Sequence, residues 1–444
     1  MRLPRPIQNA LDWVRHDLGA KARLDGGIHH HVALGATGLL VLAVAVWALV
    51  AGPLSGDDDP GVETRVITVP VETDDAAEAP VGPLGFPVVA TRNTTRVGGP
   101  DPETDAAAIA LATHPPWPGA APVQAAVLVG AEDWQGGIAA SVLAGPPVRA
   151  PVLIGDRDEV PQVTADALAS LNPVGGSGAA DAAVYLVGDV AAPEGYVTER
   201  ITGATPAERA AAIDELRSRL LRSAPESVLI ASSDKAAYAM PAAAWAARSG
   251  DPVLFAERDR LPEATARALV RHREQAVYVL GPESVIGEEV SRRIARAAPA
   301  VQRIGEPGAA ASSIAFARYA SSGFGWNIND PGHGLVLASA GRPLDAAAAA
   351  PLSASSRWGP LLVLKDAGTL PATVRSFLLD IKPGFEDDPT RAVYNHVWVI
   401  GDSSAIGATV QAEVDELAEL TEVGPGAGGT VSGGEGTGDG RKRP

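Results

Sequence analysis

A register of short apolar runs recurs three times in this chain, and it restricts the possible folds more than any other feature. The first run is Ala126–Val129 (AVLV), Val228–Ala231 (VLIA) and Val336–Ser339 (VLAS). A second run, led by proline, follows at Pro151–Ile154, Pro252–Phe255 and Pro360–Val363. Then come Val160-Pro161, Leu261-Pro262 and Leu370-Pro371, and a third run closing on Gly188, Gly281 or Gly401. Val127→Val228, Pro151→Pro252 and Pro161→Pro262 are all shifts of 101. Val228→Val336 and Pro252→Pro360 are shifts of 108, and Pro262→Pro371 is 109. The register breaks at Gly175–Asp181 and Lys382–Ala392, which read as loops. Units two and three also share a tail, Gly-x-x-Ser-x-Ile-Gly-x-x-Val, starting at Gly281 and Gly401.

Near-continuous apolar runs such as Leu361–Leu364 suit strands covered on both faces of a parallel sheet. Helical stripes lie between and after them: Val374, Phe377, Leu378 and Ile381 keep the 0, 3, 4, 7 spacing, as do Ile406, Val410, Val414 and Leu417. Between the first and second runs of unit three lies a small-residue helix, and the Leu-Pro steps start another, with Pro where a first-turn N–H has no partner. Strands alternating with helices give parallel βα units. A unit of about 100 residues can carry its own core. The expectation is therefore an α/β chain of three tandem Rossmann-like parallel-sheet subdomains at 91–197, 198–299 and 300–420.

Upstream, Val32–Leu54 contains no charged residue and is long enough to cross a hydrocarbon core of about 30 Å. Arg2, Arg5, Arg15, Lys21 and Arg23 precede it and Asp57–Asp59 follow. That asymmetry predicts a single transmembrane helix, with 1–31 in the cytoplasm and the rest outside. A cleaved signal peptide is the competing reading, against which stand the length of the run and of its N-terminal flank. Residues 55–90, rich in Pro, Gly and acids, read as an extended stalk, and 421–444 as a disordered low-complexity tail. His29–His31 invite a metal, but a solvated turn at the inner membrane edge accounts for them.

Composition removes whole classes of chemistry. There is no cysteine, hence no disulfide, thiol nucleophile or Cys-based metal site. The net charge is −17, with no basic stripe interleaved with aromatics, so nucleic acid is not an expected partner. Counting Lys+Arg minus Asp+Glu gives −8 over 91–197 (4 − 12), +1 over 198–299 (15 − 14) and −5 over 300–420 (8 − 13). No G-x-G-x-x-G follows a strand and no P-loop occurs, so no nucleotide or other cofactor is expected. Ser339, His333 and Asp345 could be imagined as a triad, but no G-x-S-x-G elbow supports one.

What remains are binding candidates. Asp345, at a helix start, suits either capping or ligand contact. The turns Gly401-Asp402-Ser403-Ser404 and Gly136-Gly137 could cradle an anion. Unit two holds Arg217, Arg219, Arg222, Arg267, Arg271, Arg273, Arg292, Arg293 and Arg296. Within it Arg267/Arg271 and Arg292/Arg296 are pairs four apart, the best positive surface for phosphate or carboxylate groups.

Each unit also opens with an Arg-hydrophobic-Gly step before an Ala-rich helix: Arg96-Val97-Gly98, Arg200-Ile201-Thr202-Gly203 and Arg303-Ile304-Gly305. With the small-residue helix Leu344-Asp345-Ala346-Ala347, the Pro-led strand and the Leu-Pro helix, the chain over about 91–420 resembles the cell wall-binding repeat 2 family. Gly136 and Ala237 stand where that pattern has the Asp kept as Asp345. The resemblance implies three subdomains in a pseudo-threefold arrangement that associate noncovalently with anionic cell-wall polymers or peptidoglycan. The resulting expectation is a non-enzymatic, membrane-anchored protein facing the wall, with Asp345, Arg267, Arg271, Arg292, Arg296, Ser403 and Ser404 as ligand contacts and no metal. An adaptor contacting another envelope protein is the alternative; a wall-modifying enzyme is a third, for which no segment is left over.

Overall fold

The computed structural model describes residues 88–116, 121–176, 181–354 and 358–423. The expected anchor at 32–54, the histidines at 29–31, most of the stalk and the tail beyond 423 lie outside them. Among the described residues no helix is long and apolar enough to cross a membrane.

The described chain opens with an antiparallel pair, β1 (Val88–Ala90) and β2 (Thr94–Val97), then α1 (Pro102–Thr113). Unit one follows: β3 (Ala126–Gly130), α2 (Trp134–Ala140) with a 3-10 turn (Ser141–Ala144), β4 (Val152–Gly155), α3 (Gln162–Leu171), β5 (Val184–Val187) and β6 (Thr198–Ile201). Unit two has α4 (Pro206–Leu221), β7 (Ser227–Ser232), α5 (Ala236–Ala239), α6 (Pro241–Ser249), β8 (Val253–Ala256), α7 (Glu263–Arg271), β9 (Ala276–Leu280), α8 (Glu288–Ala295) and β10 (Val301–Ile304). Unit three has α9 (Ala309–Arg318), β11 (Gly334–Ser339), α10 (Leu344–Ser353), β12 (Trp358–Leu364), α11 (Ala372–Asp380), β13 (Gly384–Phe385), β14 (His396–Ile400), α12 (Ala408–Leu417) and β15 (Thr421–Glu422).

The sheets run β4-β3-β5-β6, β8-β7-β9-β10 and β12-β11-β14-β2-β1, parallel throughout except for β1. Val127, Val228 and Val336, which set the sequence register, sit in the middle strands opposite Tyr185, Val277 and Trp398. Leu-Pro steps precede helices, with a difference. Pro161, Pro262 and Pro371 hold ψ near +140° and immediately precede the first helical residue rather than occupying the first turn. The loop expected at 382–392 contains β13, which pairs with β15 at the start of the expected tail.

The period-two geometry of strands divides the core. Val127, Val129, Val336 and Ala338 face one continuous apolar cluster that runs through all three units. Ala126 and Leu128 face an outer cluster with Leu153 and Leu168, while Leu335 and Leu337 face another with Val374, Phe377, Val410 and Val414. At the centre of the shared cluster α2, α6 and α10 pack pairwise on one another. Their alanines explain how: Ala242–Ala244 and Ala346–Ala350 are at most 1% exposed, and side chains this short let helix axes approach closely. A Cβ on Gly145 would lie 2.2 Å from the Ala247 carbonyl oxygen, so the backbones themselves are in contact there.

Sequence repeats and sheets are out of phase by one strand. The Arg-hydrophobic-Gly step of each repeat is a strand completing the sheet of the preceding repeat: β6 beside β5, β10 beside β9. The first repeat has no predecessor, and its strand β2 pairs with β14 of the last. The motif arginine works as a strap across each of these pairs. Arg96 donates to the Gly401 carbonyl at 2.8 Å, Arg200 to Gly188 at 3.0 Å and Arg303 to Gly281 at 2.9 Å. In each case the acceptor is the glycine that closes the neighbouring strand.

Candidate functional site

The carboxyl ends of parallel strands are where open α/β sheets place ligands, and here they are also where one unit meets the next. Helices α1, α4 and α9 follow the motif glycine, and the fourth residue of each lies near where two units meet. Those residues are Asp105, Arg209 and Ser312. At the first junction Asp105 Oδ1 accepts from the Gly99 amide at 2.6 Å and Oδ2 pairs with Arg342 at 3.2 Å. At the second the charges are reversed: Arg209 pairs with Asp133 at 2.7 Å and donates to the Gly203 carbonyl at 2.9 Å. The third is neutral: Ser312 donates to the Glu306 carbonyl, and the Gly308 amide donates to the Tyr238 hydroxyl. Asp133 and Arg342 each lie three residues past the end of a first strand. Docking in the wrong order would therefore set Asp105 against Asp133 or Arg209 against Arg342, like charges that disfavour misassembly.

Asp345 lies at the first junction, fully buried on α10. Burial, then the nearby Asp105 carboxylate, push it well above the ordinary carboxyl range. Neither of its oxygens meets a donor among the described residues. A protonated Asp345 donating to Asp105 resolves both facts, because one proton shared between two buried carboxyls removes a like-charge contact. Asp105 itself is pushed up to about 6, mainly by burial, against the opposing pull of the Gly99 amide and Arg342. Groups whose pKa is raised by folding give stability that is full below the unfolded value, near 4, and is lost as pH rises through the folded one. For Asp105 that window runs from pH 4 to about 6. Asp345→Asn removes one acid and supplies a permanent donor. It is expected to raise stability at pH 7 by about 1–2 kcal/mol and to flatten the acid-side slope, as read by denaturant midpoints at pH 4, 6 and 8. A variant weaker at pH 7 with the slope unchanged would contradict the shared proton.

Arg342 gathers the rest of this junction. It donates to the carbonyls of Gly99 at 3.1 Å and Pro100 at 2.8 Å, and to Ser404 Oγ at 2.8 Å. Ser404 in turn donates to Asp402 Oδ1 at 2.6 Å. Burial opposes ionisation of Asp402, but the Ser404 hydroxyl and the Ser404 and Ala405 amides outweigh it and hold the carboxyl below its usual range. Those amides are thus already occupied, and the turn at 401–404 is no anion cradle. Nor is Gly136-Gly137, which lies inside α2: a Cβ on Gly136 would meet Asp133, and one on Gly137 would meet Ala347 and Leu344.

Of the residues singled out from the sequence, Asp345 and Ser404 therefore converge through Asp105 and Arg342, with Ser403 exposed beside them. The arginines do not join them. Arg267 and Arg292 are exposed and pair along their own helices with Glu263 and Glu289. Arg296 follows α8 and is exposed. Arg271 pairs with the buried Asp214 and with Glu215 at the opposite, amino-terminal edge of the second sheet. Arg342, Asp105, Asp133 and Arg209 were missed. Aligning the helix residue four places in, or the loop residue three places past the first strand, would have exposed their alternating signs.

Over the strand ends of unit one opens a cleft of about 720 Å³, lined by Glu132, Asp156, Asp158, Glu159 and Asp189 beside the Asp133–Arg209 pair. Carboxylates flanked by guanidinium groups can take the hydroxyls of a polyol or sugar. No cluster of three or more His, Asp or Glu suited to a metal occurs among the described residues. The Ser339–His333–Asp345 set is not assembled as a triad: His333 pairs with Asp330 at 3.1 Å, while Asp345 is sealed against Asp105.

With this geometry in hand, the relatives can be placed. Residues 200–291 match the family described as Cell wall binding domain 2 (CWB2). The match begins at the strap Arg200 and ends at Ser291, the hydroxyl that accepts from Arg303. The fold is similar to that of Cwp8 from Clostridium difficile, with TM-score 0.57, 18% identity, and coverage of 74% of this chain and 52% of that one. Cwp6 from Clostridium difficile is similar at TM-score 0.57 and 17% identity, over 74% and 48%. The chain thus spans about half the length of either structure. No curated protein matches its sequence.

Proposed function

We propose that this chain holds itself noncovalently to cell-wall or envelope polymers through three CWB2-type α/β units set around a pseudo-threefold axis. The observation that carries the reading is the family match over 200–291. The four-stranded parallel sheet of unit one and the parallel part β12-β11-β14-β2 of the third sheet repeat the sheet of unit two and support it. In this reading the apolar run 32–54 is a single-pass anchor with a cytoplasmic N-terminus, and the acidic stalk reaches from the membrane towards the wall. The module binds rather than catalyses. The strand-end cleft of unit one is open and rich in carboxylates, a surface for hydroxyl-bearing polymer segments. The test is retention of the detergent-solubilised full chain by purified wall sacculi at moderate ionic strength. Retention comparable to a control wall-binding module is expected; passage through the sacculi while the control is held would sink direct wall binding.

A further inference from the structure

The amino-terminal edge of the second sheet, opposite the junctions, carries a groove of about 960 Å³. It lies between the ends of α4 and α7, in the only unit whose charge balance is positive. Arg219, Arg222, Arg271 and Arg273 line it, with Glu215 and Glu274 as the acids. We propose that this groove binds a phosphate-bearing segment of a polyol or sugar polymer, a proposal that rests on the wall-binding reading and names the ligand chemistry within it.

Arginines near helix C-termini complement the helix dipole, and that alone accounts for two of them. Arg219 lies in the last turn of α4 and is paired with Glu199; Arg271 ends α7 and is held by Asp214 and Glu215. The other two lie beyond the helical residues. Arg222 follows α4 in a left-handed conformation, φ +53°, and Arg273 lies two residues past α7. Neither guanidinium has an ion-pair or hydrogen-bond partner among the described residues. Two uncommitted planar forks in one concavity match phosphate oxygens bidentately. Behind the wall, His272 donates Nε2–H to the buried Asp214 carboxylate at 2.8 Å. Val270, 61% exposed in the same lining, offers an apolar contact for a carbon backbone. A concave site admits a chain more readily than a flat bilayer, and among the described residues no Phe, Tyr or Trp lines it for stacking bases, while His272 is buried.

The test uses the full chain in detergent, a fluorescent synthetic poly(glycerol phosphate) as probe, and uncharged dextran as control. Arg222→Asn, chosen because Asn tolerates the left-handed backbone, combined with Arg273→Gln should weaken probe binding about tenfold or more. Arg292→Gln with Arg296→Gln should leave it unchanged. Independently of any variant, the probe should protect Arg222 and Arg273, but not Arg292 and Arg296, from a guanidine-modifying dicarbonyl read by mass spectrometry. Undiminished binding by the double variant, or absent protection, overturns the groove. So does arginine-dependent binding to phosphatidylglycerol vesicles in place of the polymer. If the parent chain is not retained by sacculi yet binds the probe through these arginines, the wall reading falls and the groove stands.

Discussion

Arg96→Ala is expected to lower the stability of the fold by about 3–5 kcal/mol, far more than the equivalent change in either other repeat. The reason is the circuit this side chain completes. Arg96 is 7% exposed, and its guanidinium donates to Gln411 Oε1, to the carbonyls of Gly401 and Asp402, and to that of Ile406 at 2.6 Å. Gln411 is tied in turn to Thr94 at 3.0 Å. Burial works against the charge and lowers its pKa, with Asp402 and Asp105 opposing that pull. Truncation leaves the Gly401 and Ile406 carbonyls and the Gln411 amide oxygen without this buried donor, and each buried orphan costs about 1–3 kcal/mol. Arg200 makes the matching bonds, to Gly188 and Val190, from an exposed position. Water replaces it there, and Arg200→Ala should cost about 1 kcal/mol. Denaturant unfolding of both variants, followed by circular dichroism, ranks them. Equal costs would mean that the first strand is not locked into the last sheet as described.

Gly145→Ala should cost about 3 kcal/mol or more, through overpacking rather than lost bonds. The added methyl would sit 2.2 Å from the Ala247 oxygen and 3.2 Å from its carbonyl carbon. Both belong to backbone, which cannot rotate aside, so the turn after α2 and helix α6 must separate. That separation opens the packing of α2, α6 and α10, on which the shared core depends. Gly137→Ala is the internal control. Its methyl would meet the side chains of Ala347 and Leu344 at 3.2 Å, and the helical glycine-to-alanine gain of about 1 kcal/mol offsets the squeeze. A thermal scan should place G145A well below the parent and G137A near it. The reverse order would put the tight helix contact elsewhere.

The strands and their threefold register were legible because parallel sheets buried on both faces leave unbroken apolar runs, as in Val228–Ala231. The helical stripes were legible too: Val374, Phe377 and Leu378 are buried on α11, and Val410, Val414 and Leu417 on α12. Ile406 lies in the turn before α12, buried all the same. The one-strand offset between repeat and sheet was not legible. Periodicity fixes how often a strand occurs, not which neighbour it pairs with, and β2 finds β14 some 300 residues away. Asp345 was visible as an acid at a helix start, a position that favours capping over ligand contact, but its state depends on Asp105 from another unit. The arginines of unit two were legible as a count, but not which of them would be paired with acids. Helical spacing grouped Arg267 with Arg271, whereas the fold sends Arg267 outward to Glu263 and turns Arg271 towards Arg219, Arg222 and Arg273.

The central claim, that these interlocked units hold the chain to the polymers of a cell wall, is tested most directly by comparing two preparations of the same sacculi. One is native and the other is stripped of its secondary polymers. The full chain should cosediment with native walls and stay largely in the supernatant with stripped ones, with added salt weakening the first interaction. Equal sedimentation with both would move the ligand to peptidoglycan itself. Failure to sediment with either, while the chain crosslinks to another envelope protein, would contradict wall binding and make the module an adaptor.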